Sequence, residues 1–398
     1  MNRFQTKVPL IYFEEGAAQK TGSILKDNGV KNVLVVYDKG IKAAGIVDPI
    51  IDCIKEAGVG CVEFSEVVPD PVSTDVNKGV KLARESGVDA VLGIGGGSSM
   101  DTAKAIWVML GNPEEDDVLI FMAGGAKRGQ YKVPDYLLMM IPTTSGTGSE
   151  VSDGAIITDE KAGVKKGFLT LKIVPDIALI DPLVEVNLPM KIAAPCAMDA
   201  LSHCMESYIL GGNGGLGPVF NAWSEMMALE GTRQIFTYLP KLMKDPHNVE
   251  YRAHIKFACL VAGLAMTSGG LACGHGMAHA MGMVWHLPHG VGCGLGLVPA
   301  LRQGAKLEYN DRDRVARLAE AAGVKLDSAM DKAAVVDALV KAAEELIVTA
   351  EIPTLRELGK SKEEWLDKIS ERTMEEAVAK SCATLEDIRG YFEYLFDK

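Results

Sequence analysis

Ala90-Val91-Leu92-Gly93-Ile94-Gly95-Gly96-Gly97-Ser98-Ser99 carries an apolar run into a cluster of glycines, and a helical pattern follows from Met100 to Met109. A short apolar run bounded by turn residues reads as a buried strand. Three more runs share that form: Val33 to Tyr37, bounded by Asn32 and Asp38; Leu137 to Ile141, ending at Pro142; and Ala178 to Ile180, ending at Asp181-Pro182. Helical patterns at Ala43 to Ala57 and Val76 to Ser86 lie among them. Strand, helix, strand in that rhythm predicts right-handed βαβ units and a mostly parallel sheet.

From about Pro189 onward the apolar period becomes helical and β-branched clusters thin out. Helices are predicted over Ile192–Ile209, Val219–Leu239, Asn248–Met266, Met277–Val284, Asp311–Ala322, Lys332–Leu346, Lys362–Val378 and Leu385–Phe396. Ser361 with Glu364, and more weakly Thr384 with Asp387, read as capping boxes. The expected architecture is therefore an α/β domain with a Rossmann-like parallel sheet over 1–184 and an all-helical domain over 185–398. Small-molecule sites favour clefts between domains, so the active site is expected there.

Composition narrows the function. The 398 residues carry 41 Lys and Arg against 53 Asp and Glu, a formal charge of −12. That balance argues against nucleic-acid binding, which needs a basic footprint. An apolar share of 48 % with 24 % charged residues is globular rather than disordered. No apolar run approaches the ~18 residues that span a bilayer, and the N-terminus has no signal-peptide pattern. A cytoplasmic protein without membrane contact is expected. Eight cysteines are scattered without a CxxC pair. They read as reduced structural thiols, with none used as a metal ligand or nucleophile.

Two loops offer phosphate chemistry. Gly95, Gly96, Gly97 and Ser98 end a predicted strand and open a helix, where unpaired N–H groups and the positive dipole end meet anions. A tight turn is the plainer alternative, since the sixth position of G-x-G-x-x-G is here Ser98. Thr143, Thr144 and Thr147 also follow a strand end and supply hydroxyl donors. Both loops belong to the edge at which open α/β sheets bind ligands. Asp38 closes the first strand; it suits ribose hydroxyls and would repel a 2′-phosphate, favouring NAD, or else it simply starts a turn.

The second half carries metal chemistry. Asp199 and His203 stand four apart, on one face of a predicted helix. His275, His279, His286 and His289 crowd a glycine-rich segment. One carboxylate and up to three imidazoles suit a divalent transition metal, and the small residues around them suggest close approach with open space.

These motifs together resemble the iron-containing (group III) alcohol dehydrogenases: Asp38, Gly95-Gly96-Gly97-Ser98 with Asp101-Thr102-x-Lys104, Pro142-Thr143-Thr144-x-Gly146-Thr147 through Val151, Asp181-Pro182, Met198-Asp199-Ala200-Leu201-x-His203, and His275/His279/Pro288-His289-Gly290. The resemblance covers nearly the whole chain. It implies a dehydroquinate synthase-like architecture, NAD(H), and one divalent metal, Fe²⁺ with Zn²⁺ or Mn²⁺ as alternatives, held by Asp199, His203, His275 and His289. It also implies Lys165 beside the cofactor and His279 beside the nicotinamide, binding or relaying a proton. The implied reaction is direct hydride transfer between cofactor and alcohol or aldehyde carbon, with the metal polarising the oxygen. A homo-oligomer, a dimer or larger, is the expected assembly.

Departures from the family pattern fall at Ser152, Asp153, Gly154, Gly269, Gly270, Cys273 and His286, which are expected to border the substrate. Their small size and polarity suggest a small polar aldehyde, of the lactaldehyde, 3-hydroxypropanal or sulfoacetaldehyde kind, reduced to its primary alcohol. Alternatives are an NAD- and zinc-dependent lyase of the dehydroquinate synthase type and a non-enzymatic metal- or nucleotide-binding protein. The metal-site segments contain no Lys or Arg for a phosphorylated acid, which counts against the lyase.

Overall fold

Among the described residues, eight strands precede residue 187: β1 (Leu10–Phe13), β2 (Asn32–Asp38), β3 (Gly60–Val67), β4 (Ala90–Gly95), β5 (Leu137–Pro142), β6 (Gly154–Asp159), β7 (Val164–Leu169) and β8 (Ile177–Ile180). The computed structural model describes residues 5–209 and 221–398. They divide into two units, one of 6–144 with 148–186 and one of 187–209 and 221–398 with 5 and 145–147.

In the first unit, six strands form a parallel sheet in the order β1-β8-β5-β4-β2-β3. Helices α1 (Thr21–Asp27), α2 (Lys39–Ala43), α3 (Val47–Glu56), α4 (Ser73–Glu85) and α5 (Gly97–Leu110) accompany it. A parallel strand covered on both faces must be apolar throughout, and β4 is buried at every position. Alternation then sorts side chains by face. Leu34, Val36 and Val91 join one core with Ile106, while Val33, Val35 and Leu92 join another with Ile50 and Ile54.

The four apolar runs form β2, β4, β5 and β8, as expected. The edge strands β1 and β3 and the antiparallel hairpin β6–β7 were not expected; they are half-exposed and lack continuous apolar runs. The helix expected from Ala43 to Ala57 is instead α2 and α3, parted by Gly45 at φ +74°.

The second unit is helical throughout its described residues: α6 (Met190–Ile209), α7 (Ala222–Lys244), α8 (Val249–Gly269), α9 (Cys273–Trp285), α10 (His289–Ala305), α11 (Arg312–Ala321), α12 (Lys332–Thr349), α13 (Lys362–Thr373), α14 (Ala377–Lys380) and α15 (Leu385–Phe396). Helix α7 starts behind Asn221, whose side chain accepts from Trp223 N at 3.1 Å; positions 219 and 220 of the expected helix lie outside the described residues. Thr384 and Asp387 form a capping box, but Ser361 makes no side-chain cap bond at α13.

Helix α10 was not expected. Gly290, Gly292, Gly294, Gly296, Pro299 and Gly304 depress its intrinsic propensity. Packing explains it: a Cβ on Gly290 would lie 2.2 Å from the Pro195 carbonyl oxygen, and one on Gly296 would lie 2.6 Å from that of Gly274. These glycines bring α6, α9 and α10 into backbone contact, so the open space expected around the histidines is filled by helix. Among the described residues, no single helix is long and apolar enough to cross a membrane.

Candidate active site

The sheet's carboxyl edge gathers the residues expected to hold the cofactor. The Asp38 Oδ1 caps α2, accepting from Gly40 N at 2.8 Å and Ile41 N at 3.2 Å. The turn role weighed for Asp38 is thus real, and it leaves the second oxygen 3.6 Å from where a Gly95 Cβ would sit. Gly95 has φ +145°, a conformation side chains disfavour. Gly96 precedes α5, whose first turn holds no acidic residue. A Cβ on Gly96 would lie 3.2 Å from Thr144 Oγ1. Thr143 Oγ1 and Ser99 Oγ are buried without a hydrogen-bond partner. Unpaired buried hydroxyls are costly and call for a ligand. Free helix N–H groups, orphaned hydroxyls and side-chain-free backbone fit a dinucleotide.

Two further expected cofactor residues make other contacts. Lys165 on β7 gives its charge to Asp70, Nζ to Oδ1 at 2.5 Å. Thr147 groups with the second unit, where the neighbouring Gly146 packs on Cys196.

Asp101 and Lys104 brace this edge from inside. The Asp101 carboxylate accepts from Ser149 Oγ at 2.7 Å and Ile156 N at 2.8 Å. Lys104, fully buried, donates to the Ser152 and Gly154 carbonyls at 2.9 and 2.8 Å. Burial pushes its pKa down to about 8. The Ser152-Asp153-Gly154 segment is therefore held by its backbone on a buried lysine.

In the second unit, α6 presents Asp199 and His203 one turn apart, α9 presents His275 near its start, and α10 opens with His289. Each of the three imidazoles places Nε2 3.5 Å from Asp199 Oδ1. The His203 and His275 rings stack at 4.6 Å. Burial alone would raise the Asp199 pKa, but His203, His289 and His275 outweigh it and hold the carboxyl well below the usual range. Burial pulls His203 down to about 4. For His275 burial is again opposed, here by Cys293, Glu206 and Asp199, and its pKa is raised well above the ordinary value. Ligand bonds of about 2.1 Å in a tetrahedral site imply donor separations of about 3.4 Å. Donor types, spacing and charge all fit a divalent cation.

Two residues of this cluster were missed. Glu206, fully buried, accepts from His275 Nδ1 at 2.9 Å, Ser202 Oγ at 2.9 Å and Ala272 N at 2.7 Å. It turns His275 Nε2 toward Asp199, as a carboxylate behind a ligating histidine does. Its signal was position: Asp199, His203 and Glu206 fall on one helical face. Cys293, read as structural, lies one turn after His289 with its thiol 3.3 Å from Asp199 Oδ1.

His279 stands beside the cluster, its ring 5.4 Å from that of His289. Its Nδ1 is 3.4 Å from Glu376 Oε2, and Glu376 also pairs with Arg372 at 3.0 Å. The remaining pocket candidates have separate local settings. A Cβ on Gly269 would lie 2.3 Å from Ser224 Oγ, Gly270 ends α8 at φ +78°, Cys273 is buried against the Cys382 thiol, and His286 ends α9 in the left-handed region, exposed.

Comparison with known proteins places both units in one class. Residues 9–182 match the family model for iron-containing alcohol dehydrogenase, and residues 193–386 match that for the C-terminal part of the Fe-containing alcohol dehydrogenase family. The chain belongs to the iron-containing alcohol dehydrogenase family, and its activity is that of a nicotinamide- and metal-dependent oxidoreductase of alcohols and aldehydes. It is 32 % identical to the NAD-dependent methanol dehydrogenase of Bacillus methanolicus, over 96 % of each chain. The crystal structure of a 1,3-propanediol oxidoreductase superposes with a TM-score of 0.89 at 26 % identity, covering 99 % of this chain and 100 % of that one. The sulfoacetaldehyde reductase of Bifidobacterium kashiwanohense, solved with NAD⁺, gives 0.86 at 25 % identity, covering 100 % and 99 %.

Proposed function

We propose that the chain is an NADH-dependent reductase of a small polar aldehyde, acting in the cytoplasm as a homo-oligomer. The observation that carries the substrate class is the open side of the histidine cluster. Asp199, His203 and His275 are sealed, whereas the His289 and His279 side chains are 35 % and 26 % exposed, with Glu376 and Arg372 behind His279. This rim offers hydrogen bonds and charge, which suits a short chain with a polar substituent better than a long alkyl tail. Two structural neighbours, the 1,3-propanediol oxidoreductase and the sulfoacetaldehyde reductase, bear names of that substrate class.

Asp199, His203, His275 and His289 would hold the cation; Asp38, Gly95 to Ser98, Thr143, Thr144 and Thr147 would hold NAD(H), with Lys165 near it. When bound, the cation supplies Lewis-acid polarisation of the substrate oxygen and NADH supplies the hydride. Glu206 fixes the His275 ring, and Glu376 fixes that of His279. His279 delivers a proton to the alcohol oxygen as it forms and takes it back in the reverse direction. The Asp38 carboxylate selects NADH by repelling a 2′-phosphate. Segment 152–154, held by Lys104, borders the substrate.

The test is NADH oxidation by anaerobically prepared, Fe²⁺-loaded protein with glycolaldehyde, lactaldehyde, 3-hydroxypropanal, sulfoacetaldehyde and hexanal. The polar aldehydes are expected to give the higher kcat/KM. A clear preference for hexanal would refute the substrate class.

A further inference from the structure

The reading of 187–398 as a metal-binding unit leaves Cys293 unassigned. It is fully buried on the glycine-rich helix α10. Its Sγ lies 3.3 Å from Asp199 Oδ1, 3.5 Å from His289 Nε2 and 3.7 Å from His275 Nε2. Asp199 Oδ1 is in turn 3.5 Å from both imidazole nitrogens. All four ligand atoms fall within 4.8 Å of one another. Metal bonds of about 2.0–2.1 Å to nitrogen and oxygen and about 2.3 Å to sulfur imply tetrahedral edges of about 3.3–3.7 Å. Five of the six separations among Asp199, His275, His289 and Cys293, at 3.3–3.7 Å, have that size. A cysteine buried only for packing would face apolar neighbours; this one faces three polar donor atoms that converge on one point.

We propose that Cys293 is a ligand of the metal, bound through its sulfur, so that the centre has a mixed carboxylate, imidazole and thiolate donor set. Coordination replaces the thiol proton, now shared toward Asp199 Oδ1, with the cation, and the proton leaves to solvent. His203 Nε2 lies 3.5 Å from the same carboxylate oxygen, outside the four donor atoms that converge. A soft sulfur donor moves the preference of such a site toward Zn²⁺ relative to an all-nitrogen-and-oxygen set.

This assignment rests on the metal-site reading above, and the two fail differently. The full-length protein is loaded with Zn²⁺, its metal content measured, and its zinc-edge X-ray absorption recorded beside that of Cys293→Ser. One zinc per chain with one sulfur scatterer at about 2.3 Å, lost in Cys293→Ser while the zinc is retained, is the expected result. The Co²⁺ forms should agree, with a thiolate-to-cobalt charge-transfer band in the native protein alone. One zinc per chain with only nitrogen and oxygen neighbours overturns the proposal and leaves the dehydrogenase reading standing. A sulfur shell that persists in Cys293→Ser overturns it in favour of another cysteine. No bound zinc or cobalt overturns both. The native spectrum decides the matter even if the variant fails to fold.

Discussion

At the sheet's carboxyl edge, Gly95 adopts φ +145° at the end of β4, where a Cβ would meet Ser99 Oγ at 2.5 Å. In the helical unit, Gly296 has ordinary helical geometry and faces the Gly274 carbonyl oxygen, which a Cβ would approach to 2.6 Å. One glycine turns the backbone at a strand end; the other lets two helices touch. The sites built on them differ accordingly. The cofactor edge draws on consecutive residues at strand ends, with donors from backbone and hydroxyls. The metal cluster draws separated side chains from three helices, and burial strengthens its electrostatics. A site of the first kind is spread over many weak donors, whereas one of the second kind concentrates on few strong ones.

The most severe test of that contrast is His275→Ala. His275 is 1 % exposed and joins Asp199 to Glu206. Its loss should remove most metal affinity and lower kcat/KM by about a thousandfold or more, the several kcal/mol that Lewis-acid stabilisation provides. NADH binding, measured by fluorescence titration, should stay within about twofold. A matching collapse of NADH binding would show that the two sites are not separable in this way.

Glu206→Gln probes the layer behind the ligand. Glutamine with its oxygen at the Oε1 position keeps the acceptor for His275 and Ser202 but turns its amide toward the Ala272 N–H, which now donates to Oε2. Metal affinity should fall about 10- to 100-fold, read by chelator competition. An unchanged affinity would mean that the helices alone orient His275.

How much of this was legible beforehand follows the same division. Local signals sufficed for the first unit: β2, β4, β5 and β8 are buried apolar runs that stop at turn residues, and the cofactor loops sit on their ends. Edge strands β1 and β3 escaped because half-exposed strands carry mixed residues. In the second unit Asp199, His203, His275 and His289 stood out as residue types, but the helix carrying His289 and Cys293 did not. Its glycines and Pro299 speak against a helix locally, and only the contact with α6 and α9 overrides them. Cys293 and Glu206 became visible once those helices were brought together. Gly269 was taken for pocket space, yet Ser224 and Ser207 fill it.

Gly296→Ala and Gly390→Ala turn that lesson into a measurement. Both glycines lie inside helices, but nothing stands within 4 Å of a Cβ on Gly390. Gly296→Ala should destabilise by about 1–3 kcal/mol through overpacking and loosen the metal, since Gly274 adjoins His275. Gly390→Ala should stabilise by about 0.5–1 kcal/mol through the lost freedom of the unfolded chain. Denaturant melts of the two variants should shift in opposite directions; shifts of the same sign would remove the packing account of α10.

The smallest expected effect is at Asp38, where turn and cofactor roles meet in one carboxylate. Asn is as good an N-cap as Asp, so Asp38→Asn keeps an oxygen for Gly40 N and Ile41 N while removing the charge. Stability should change by less than about 0.5 kcal/mol. Repulsion of a 2′-phosphate by a partly exposed carboxylate is worth about 1 kcal/mol, or about fivefold in the ratio of kcat/KM for NADPH to that for NADH. The gain should appear as a lower KM for NADPH, with kcat unchanged, because the charge lies far along the cofactor from the reacting carbon. If the ratio does not move while α2 remains intact, Asp38 is a cap and nothing more. Discrimination between the two cofactors would then belong to another part of that edge.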